Sequence, residues 1–181
     1  FVEQRGKNSL SLEKILKDIL DGEYEKNERL EAVLAENYGI VKDRSLHCMY
    51  IFLGKYYESE KKEAEMFLEE LKEHDQGRKL CWLLREKQQA VLVCFYGEED
   101  VRELLKYIKR AVIPACSVRL HGHRVFTWIE CKDWHRMSEV ERELEEACGW
   151  HLILGDRVLI ECEKISQMRT YQFIYPAELE N

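Results

Sequence analysis

The sequence predicts an α+β domain, an antiparallel sheet with helices on one face, preceded by an N-terminal helical extension. Three observations carry this expectation. Short continuous apolar runs, rich in aromatic and branched residues, occur at 46–53, 80–84, 90–96 and 124–131, and each has the length of a strand. Stretches whose apolar residues recur three and four apart separate most of them, which is the spacing of one helix face. The runs at 80–84 and 90–96 flank a short polar segment, so the two form a hairpin.

Length and composition bound the rest. The chain has 181 residues and is 45% hydrophobic, enough to bury a core without disulfides or metal. Its two prolines, Pro114 and Pro176, and the absence of any Pro-, Gly- or Ser-rich stretch leave no obvious flexible linker. Net charge is −7, and the cations are interleaved with glutamates, so direct nucleic-acid binding by this chain is not expected. Cysteines at 48, 81, 94, 116, 131, 148 and 162 are odd in number and contain no CxxC. Buried thiols of a reducing, cytoplasmic protein are the simplest reading. No signal-peptide pattern is present, and no apolar run approaches the roughly 18 residues of a membrane span. The start without Met and the close on YPAELEN suggest a piece of a longer protein.

Taken in order, Leu12, Ile15, Leu16, Ile19 and Leu20 stripe a helix over 9–21 that Gly22 stops, and Leu30, Val33 and Leu34 stripe a second over 26–38 that ends at Gly39. Two such helices cannot bury themselves alone, so they pack on the main domain or on another copy. Strand 46–53 follows, then a helix over 58–73 with Ala64, Phe67, Leu68 and Leu71 on one face. After the hairpin comes a helix over 98–110, striped by Val101, Leu104, Leu105 and Ile108, with Asp100 suited to its positive end. Residues 115–120 read as a short strand and 124–131 as a firmer one. Ser138 with Glu141 has the spacing of a capping box and opens a helix carrying Val140, Leu144, Ala147 and Cys148. A last strand, 157–162, follows a Gly155-Asp156 turn, and Pro176 fits the first turn of another helix. The organisation expected is an extension or connector over 1–42, an α+β domain over 43–165, and a tail over 166–181 leading to a missing C-terminal domain.

The core order is strand, helix, hairpin, helix, strand, the βαββαβ arrangement of ferredoxin-like domains, with a further helix and strand appended. Together with the hairpin, it resembles the GGDEF-type nucleotidyl cyclase domain over residues 46–162. In an active member the hairpin carries Gly-Gly-Asp-Glu-Phe before a strand similar to Ala90-Val91-Leu92-Val93. That register places Arg85 and Glu86 on the glycines, Lys87 and Gln88 on the acidic pair, and Gln89 on the last position. Such enzymes hold Mg²⁺ with carboxylates against a triphosphate. Here a cation and an amide stand in their place, and the first strand ends Ile51-Phe52-Leu53-Gly54-Lys55 without the Asp the resemblance calls for. The expectation is therefore a degenerate, non-catalytic domain with no cofactor and no metal.

The flanks resemble the middle region of AraC-type two-component response regulators. Trp150-His151-Leu152-Ile153-Leu154-Gly155, a basic-apolar strand, and the Tyr-Pro-x-Glu-Leu-Glu tail carry that likeness, with Asp133-Trp134 and the helix from Ser138. It implies a regulatory connector in signal transduction and transcription regulation. Its partners would be the other domains of its parent protein, a receiver and an AraC-type helix-turn-helix pair, with homodimerisation a further expectation. The alternative is a sensor in which Arg85 and Lys87 bind an anionic or nucleotide ligand within a degenerate cleft.

Other residues have bland readings beside functional ones. His121-Gly122-His123 with Cys116 offers too few ligands for a metal and reads as a polar turn. His135 beside Asp133 and Trp134 reads as a surface residue in a connection. Trp82 and Trp128 fall on strands, where packing is the default, although Trp82, Trp128, Trp134 and Trp150 could also line a small-molecule pocket. The glutamates between Glu139 and Glu146 read as a solvated helix face.

Overall fold

The computed structural model describes residues 11–23, 28–74, 78–121, 124–154 and 159–165. Helix α1 (Leu12–Leu20) opens at Ser11, whose side chain accepts from the Lys14 N–H. It closes on Gly22, where φ is +73°. There the Glu23 N–H reaches the Asp18 carbonyl at 2.8 Å and the Gly22 N–H reaches Ile19 at 3.2 Å, the pairing of a Schellman stop. Helix α2 (Glu28–Tyr38) precedes β1 (Leu46–Phe52), and a 3₁₀ turn at Gly54–Tyr56 leads into α3 (Tyr57–His74). The hairpin is β2 (Leu80–Arg85) and β3 (Ala90–Phe95).

The next helical stretch overturns an expectation. Instead of a helix followed by a short strand at 115–120, α4 (Val101–Tyr107) runs through a π-helical turn (Ile108–Val112) into α5 (Ile113–Arg119). Pro114 has no N–H to give to the ladder, and the wider turn just before it absorbs the interruption. Ile108, Val112, Ile113 and Cys116 stay buried along one stripe, so helical burial prevails over the local strand-like sequence. Strand β4 (Val125–Cys131), a 3₁₀ turn (Trp134–Arg136), α6 (Met137–Ala147), a second 3₁₀ turn (Cys148–Trp150), α7 (His151–Leu154) and β5 (Leu159–Glu161) follow, and residues 162–165 end the described chain in a helical turn. The Gly155-Asp156 turn and the Pro176 helix start lie outside the described residues.

The strands form one sheet in the order β2-β3-β1-β4-β5. Every neighbouring pair is antiparallel except β4 and β5, which are parallel. The sheet is thus mixed rather than wholly antiparallel, because α6 and α7 carry the chain back before β5 begins.

The sheet is also covered on both faces, not one. Met49, Ile51, Val91, Val93, Phe95, Phe126 and Trp128 pack with Ala64, Phe67 and Leu68 of α3 and with Leu104 to Cys116 of α4 and α5. On the opposite face Cys48, Tyr50, Cys81, Leu83, Leu92, Cys94 and Ile129 pack with α1, with Leu34 of α2, and with Met137, Val140, Leu144 and Ala147 of α6. Strands buried on both sides lose the alternation of apolar and polar residues, which is why LHCMYIFL and AVLVCF read as unbroken apolar runs. Five side chains of α1 are buried, each contributing roughly 1.5–3 kcal/mol of transfer free energy, so the N-terminal helices belong to this core.

Candidate functional site

Among the described residues, the hairpin end of the α1/α6 face holds the most developed buried polar cluster. Side chains alternate along β2, so Cys81, Leu83 and Arg85 share one face. Arg85, the last residue of the strand, therefore points its guanidinium into the layer between sheet and helices, where it is 7% exposed. Its Nε donates to Glu141 Oε2 at 2.8 Å and its Nη2 to Glu141 Oε1 at 2.9 Å, a two-pronged pairing that fixes both planes. The same Nη2 donates to Asp21 Oδ1 at 3.0 Å. Asp21 is the residue at which α1 ends, held there by the Gly22 stop. From β1, the Tyr50 hydroxyl donates to Glu141 Oε2 at 2.5 Å.

Four elements thus meet on one buried carboxylate-guanidinium pair. Burial works against the charge on Arg85, but the hydrogen bonds and charge of Glu141, then Asp21, outweigh it and raise its pKa. Burial and then the charge of Glu141 push the Tyr50 phenol far above its usual range, so it stays a donor. Chemically the cluster is closed: each partner is committed to another member of the set.

The motif positions separate in space. Arg85 is enclosed, while Glu86, Lys87 and Gln89 are exposed and Gln88 is half-buried. Gln89 adopts φ +53°, and its carbonyl accepts from Leu53 N–H at 2.9 Å and Gly54 N–H at 3.1 Å. The hairpin turn and the end of the first strand are therefore brought together through backbone groups. Among the described residues no group of three or more His, Cys, Asp or Glu side chains has an arrangement that could hold a metal ion.

Several readings change. Ser138 does not cap α6: Asp133 caps the preceding turn, accepting from His135 N–H at 3.0 Å, and Glu141 is spent on Arg85. Glu141 is buried while Glu139, Glu143, Glu145 and Glu146 are exposed, so the acidic face is solvated except at its one inward member. His135 is half-buried rather than free on the surface. Its ring stacks on Trp134 at 3.8 Å between centroids, with Nδ1 2.6 Å from Asp133 Oδ1 and Nε2 3.0 Å from Glu31 Oε1, which ties α2 to the start of α6. Burial pushes the Asp133 carboxyl up, but the hydrogen bonds from His135 prevail and hold it low. Trp128 and Trp134 are core residues, at 4% and 2% exposure, and Trp82 is half-buried with Nε1 donating to Glu69 at 2.7 Å. The His121 N–H donates to Glu60 Oε1 at 2.6 Å; Gly122 and His123 lie outside the described residues.

All seven cysteines are free and buried. Three of them, Cys81, Cys94 and Cys48, form a row across adjacent strands that their sequence spacing alone does not disclose. Among the described residues no helix is long and apolar enough to cross a membrane.

Comparison with known proteins is negative. No family model, no curated protein and no solved structure matches this chain.

Proposed function

We propose that this chain is a non-catalytic connector domain of a two-component response regulator, relaying signal to an AraC-type DNA-binding output. One observation carries the reading. Arg85, which the sequence register puts where an active cyclase has its first motif glycine, is buried and bound by Glu141 and Asp21. A glycine there would let the turn approach a nucleotide; here the position carries an arginine locked to α1 and α6. The sheet order, with both crossover helices on one face, agrees with a ferredoxin-like, GGDEF-like core. The opposite face is occupied by α1, α2 and α6.

In this reading α1 is the input end and α6 leads toward the output, with Arg85 fastening both to the sheet. A sensor that used Arg85 for an anion would have to displace Glu141 or Asp21, so this geometry favours the connector. The test has two arms. In the parent protein, Asp21→Asn should weaken the coupling between upstream phosphorylation and DNA binding while the chain stays folded. Incubation with GTP and Mg²⁺ should yield no dinucleotide; any such product overturns the proposal, as does a parent sequence lacking the two flanking domains.

A further inference from the structure

The thiol row is built for cross-linking. Cys48 of β1 faces Cys94 of β3, which faces Cys81 of β2, all three on the α1/α6 side of the sheet. The Sγ atoms of Cys48 and Cys94 are 3.3 Å apart. The ladder fixes the type of pair. Leu53 N–H bonds the Gln89 carbonyl, one step beyond the Phe52↔Ala90 pair, and hydrogen-bonded and non-hydrogen-bonded pairs alternate along an antiparallel ladder. Counting back makes Cys48↔Cys94 a non-hydrogen-bonded pair, whose Cα atoms lie about 4.5 Å apart, inside the window that a disulfide spans. On the other side Tyr96 N–H bonds the Lys79 carbonyl, which makes Cys81↔Cys94 a hydrogen-bonded pair with the wider separation.

We propose that Cys94 and Cys48 are an oxidative modification site, at which a hydroperoxide forges a disulfide between β3 and β1. The Cys94 sulfur attacks the terminal peroxide oxygen; the O–O bond breaks, and the departing alkoxide or hydroxide takes the thiol proton. The resulting sulfenic acid is then attacked by Cys48. The S–S bond forms, the S–O bond breaks, and the leaving hydroxide takes the Cys48 proton as water. Two thiols and one hydroperoxide give one disulfide, one alcohol or water, and one water; the sulfurs lose two electrons and the peroxide gains them. Closing to a bond of about 2.05 Å requires the sulfurs to approach by roughly 1.2 Å from their present 3.3 Å.

The electrostatics of the row suit this order of events. The hydrogen bond with Cys94, with burial second, raises Cys48 and Cys81 well above the ordinary thiol range, whereas the hydrogen bonds with Cys48 and Cys81 lower Cys94. Access requires local opening of the α1/α6 layer that covers the row. With exposures of 0–2% across the row, reaction in the folded chain is slower than in the unfolded chain.

The experiment uses the whole chain, reduced, freed of reductant and exposed to hydrogen peroxide while folded, then alkylated and digested with trypsin without reduction. Trypsin places the three thiols in separate peptides, residues 45–55, 80–85 and 88–102. The expected product joins 45–55 to 88–102 with loss of two hydrogens, and dithiothreitol reverses it. Cys81→Ala should leave the link intact and Cys94→Ala should abolish it; the unsubstituted chain alone suffices if a variant fails to fold. The proposal is overturned if 80–85 carries the main link. It is equally overturned if isolated sulfinic or sulfonic acids form instead, or if peroxide that consumes thiols in the urea-unfolded chain yields no cross-link in the folded one.

Discussion

Removing the Glu141 carboxylate should be among the most damaging single changes available. In Glu141→Ala the Arg85 guanidinium, with a side chain 8% exposed, keeps only Asp21, whose side chain is 34% exposed and whose attraction is screened by water. Breaking a buried ion pair by deleting one partner costs about 3–5 kcal/mol. The Tyr50 hydroxyl, in a residue with 0% exposure, also loses its acceptor, and an orphaned buried donor costs about 1–3 kcal/mol. The two costs overlap because they share one carboxylate, so the expected loss is about 4 kcal/mol, a large part of the 5–15 kcal/mol typical of a domain. Urea unfolding followed by tryptophan fluorescence reads it: with a slope of about 2 kcal/mol per molar, the midpoint should fall by about 2 M. The triple replacement Arg85→Met, Glu141→Leu, Tyr50→Phe removes the buried ion pair and the hydroxyl together, leaving only the part-exposed Asp21 carboxylate, and should return to within about 1 kcal/mol of the parent. A Glu141→Ala loss below about 1 kcal/mol would refute the claim that this pair is buried and mutually dependent.

Other perturbations follow from single contacts. Burial, the largest influence on each, pushes the thiols of Cys116, Cys131 and Cys148 up to about 12, so the folded chain holds protons that the unfolded chain releases near pH 8.5. Stability from these thiols is complete below that pH and should decline between about pH 9 and pH 12, by up to about 1.4 kcal/mol per pH unit for each; Cys116→Ala should flatten the decline in urea titrations at alkaline pH. Asp133→Ala removes the cap on His135 N–H and should cost about 1–2 kcal/mol at pH 7. Because the Asp133 carboxyl is held low when folded, its contribution is present above the unfolded carboxylate pKa and lost as pH falls through the folded one, so the variant and parent midpoints should converge in acid. Gly22→Ala meets no atom within 4 Å of the added Cβ, so its cost is the left-handed backbone alone, about 1 kcal/mol, or a fall in Tm of about 2–4 °C by calorimetry.

Much of this architecture is legible in the sequence because burial leaves a periodic trace. The runs at 46–53 and 90–96 and the stripes of α1, α3 and α6 mark their elements within a few residues. The same runs held a second message: their lack of alternation signals a sheet covered twice. Glu141 was also legible in principle. It falls with Met137, Val140 and Leu144 on the inward stripe of α6, and a carboxylate on an apolar stripe needs a cation opposite. Its partner is not legible, because Arg85 lies 56 residues away in sequence and only the sheet order brings them together. Pro114 hid the helix from Ile113 to Arg119, since a proline there reads as a break unless the preceding turn widens. The bracketing of His135 by Asp133 and Glu31 depends on how α2 docks, which its weak stripe leaves undetermined.

The energetics of Arg85 also constrain how a connector built this way would work. Allosteric coupling typically amounts to about 1–3 kcal/mol. Separating α6 from the hairpin would strand a buried guanidinium at about 3–5 kcal/mol, more than such a signal supplies. Separating α1 breaks the weaker link, the half-exposed Asp21 contact, but also exposes Leu12, Ile15, Leu16, Ile19 and Leu20, all now buried. Neither helix is therefore free to swing on its own within the energy a signal provides. Under the proposed reading, α1, the hairpin and α6 move as one body, and information passes as a displacement of the whole sheet layer rather than as a rearrangement inside it. Asp21→Asn is then the informative change, because it loosens the input end while leaving the Arg85–Glu141 pair in place.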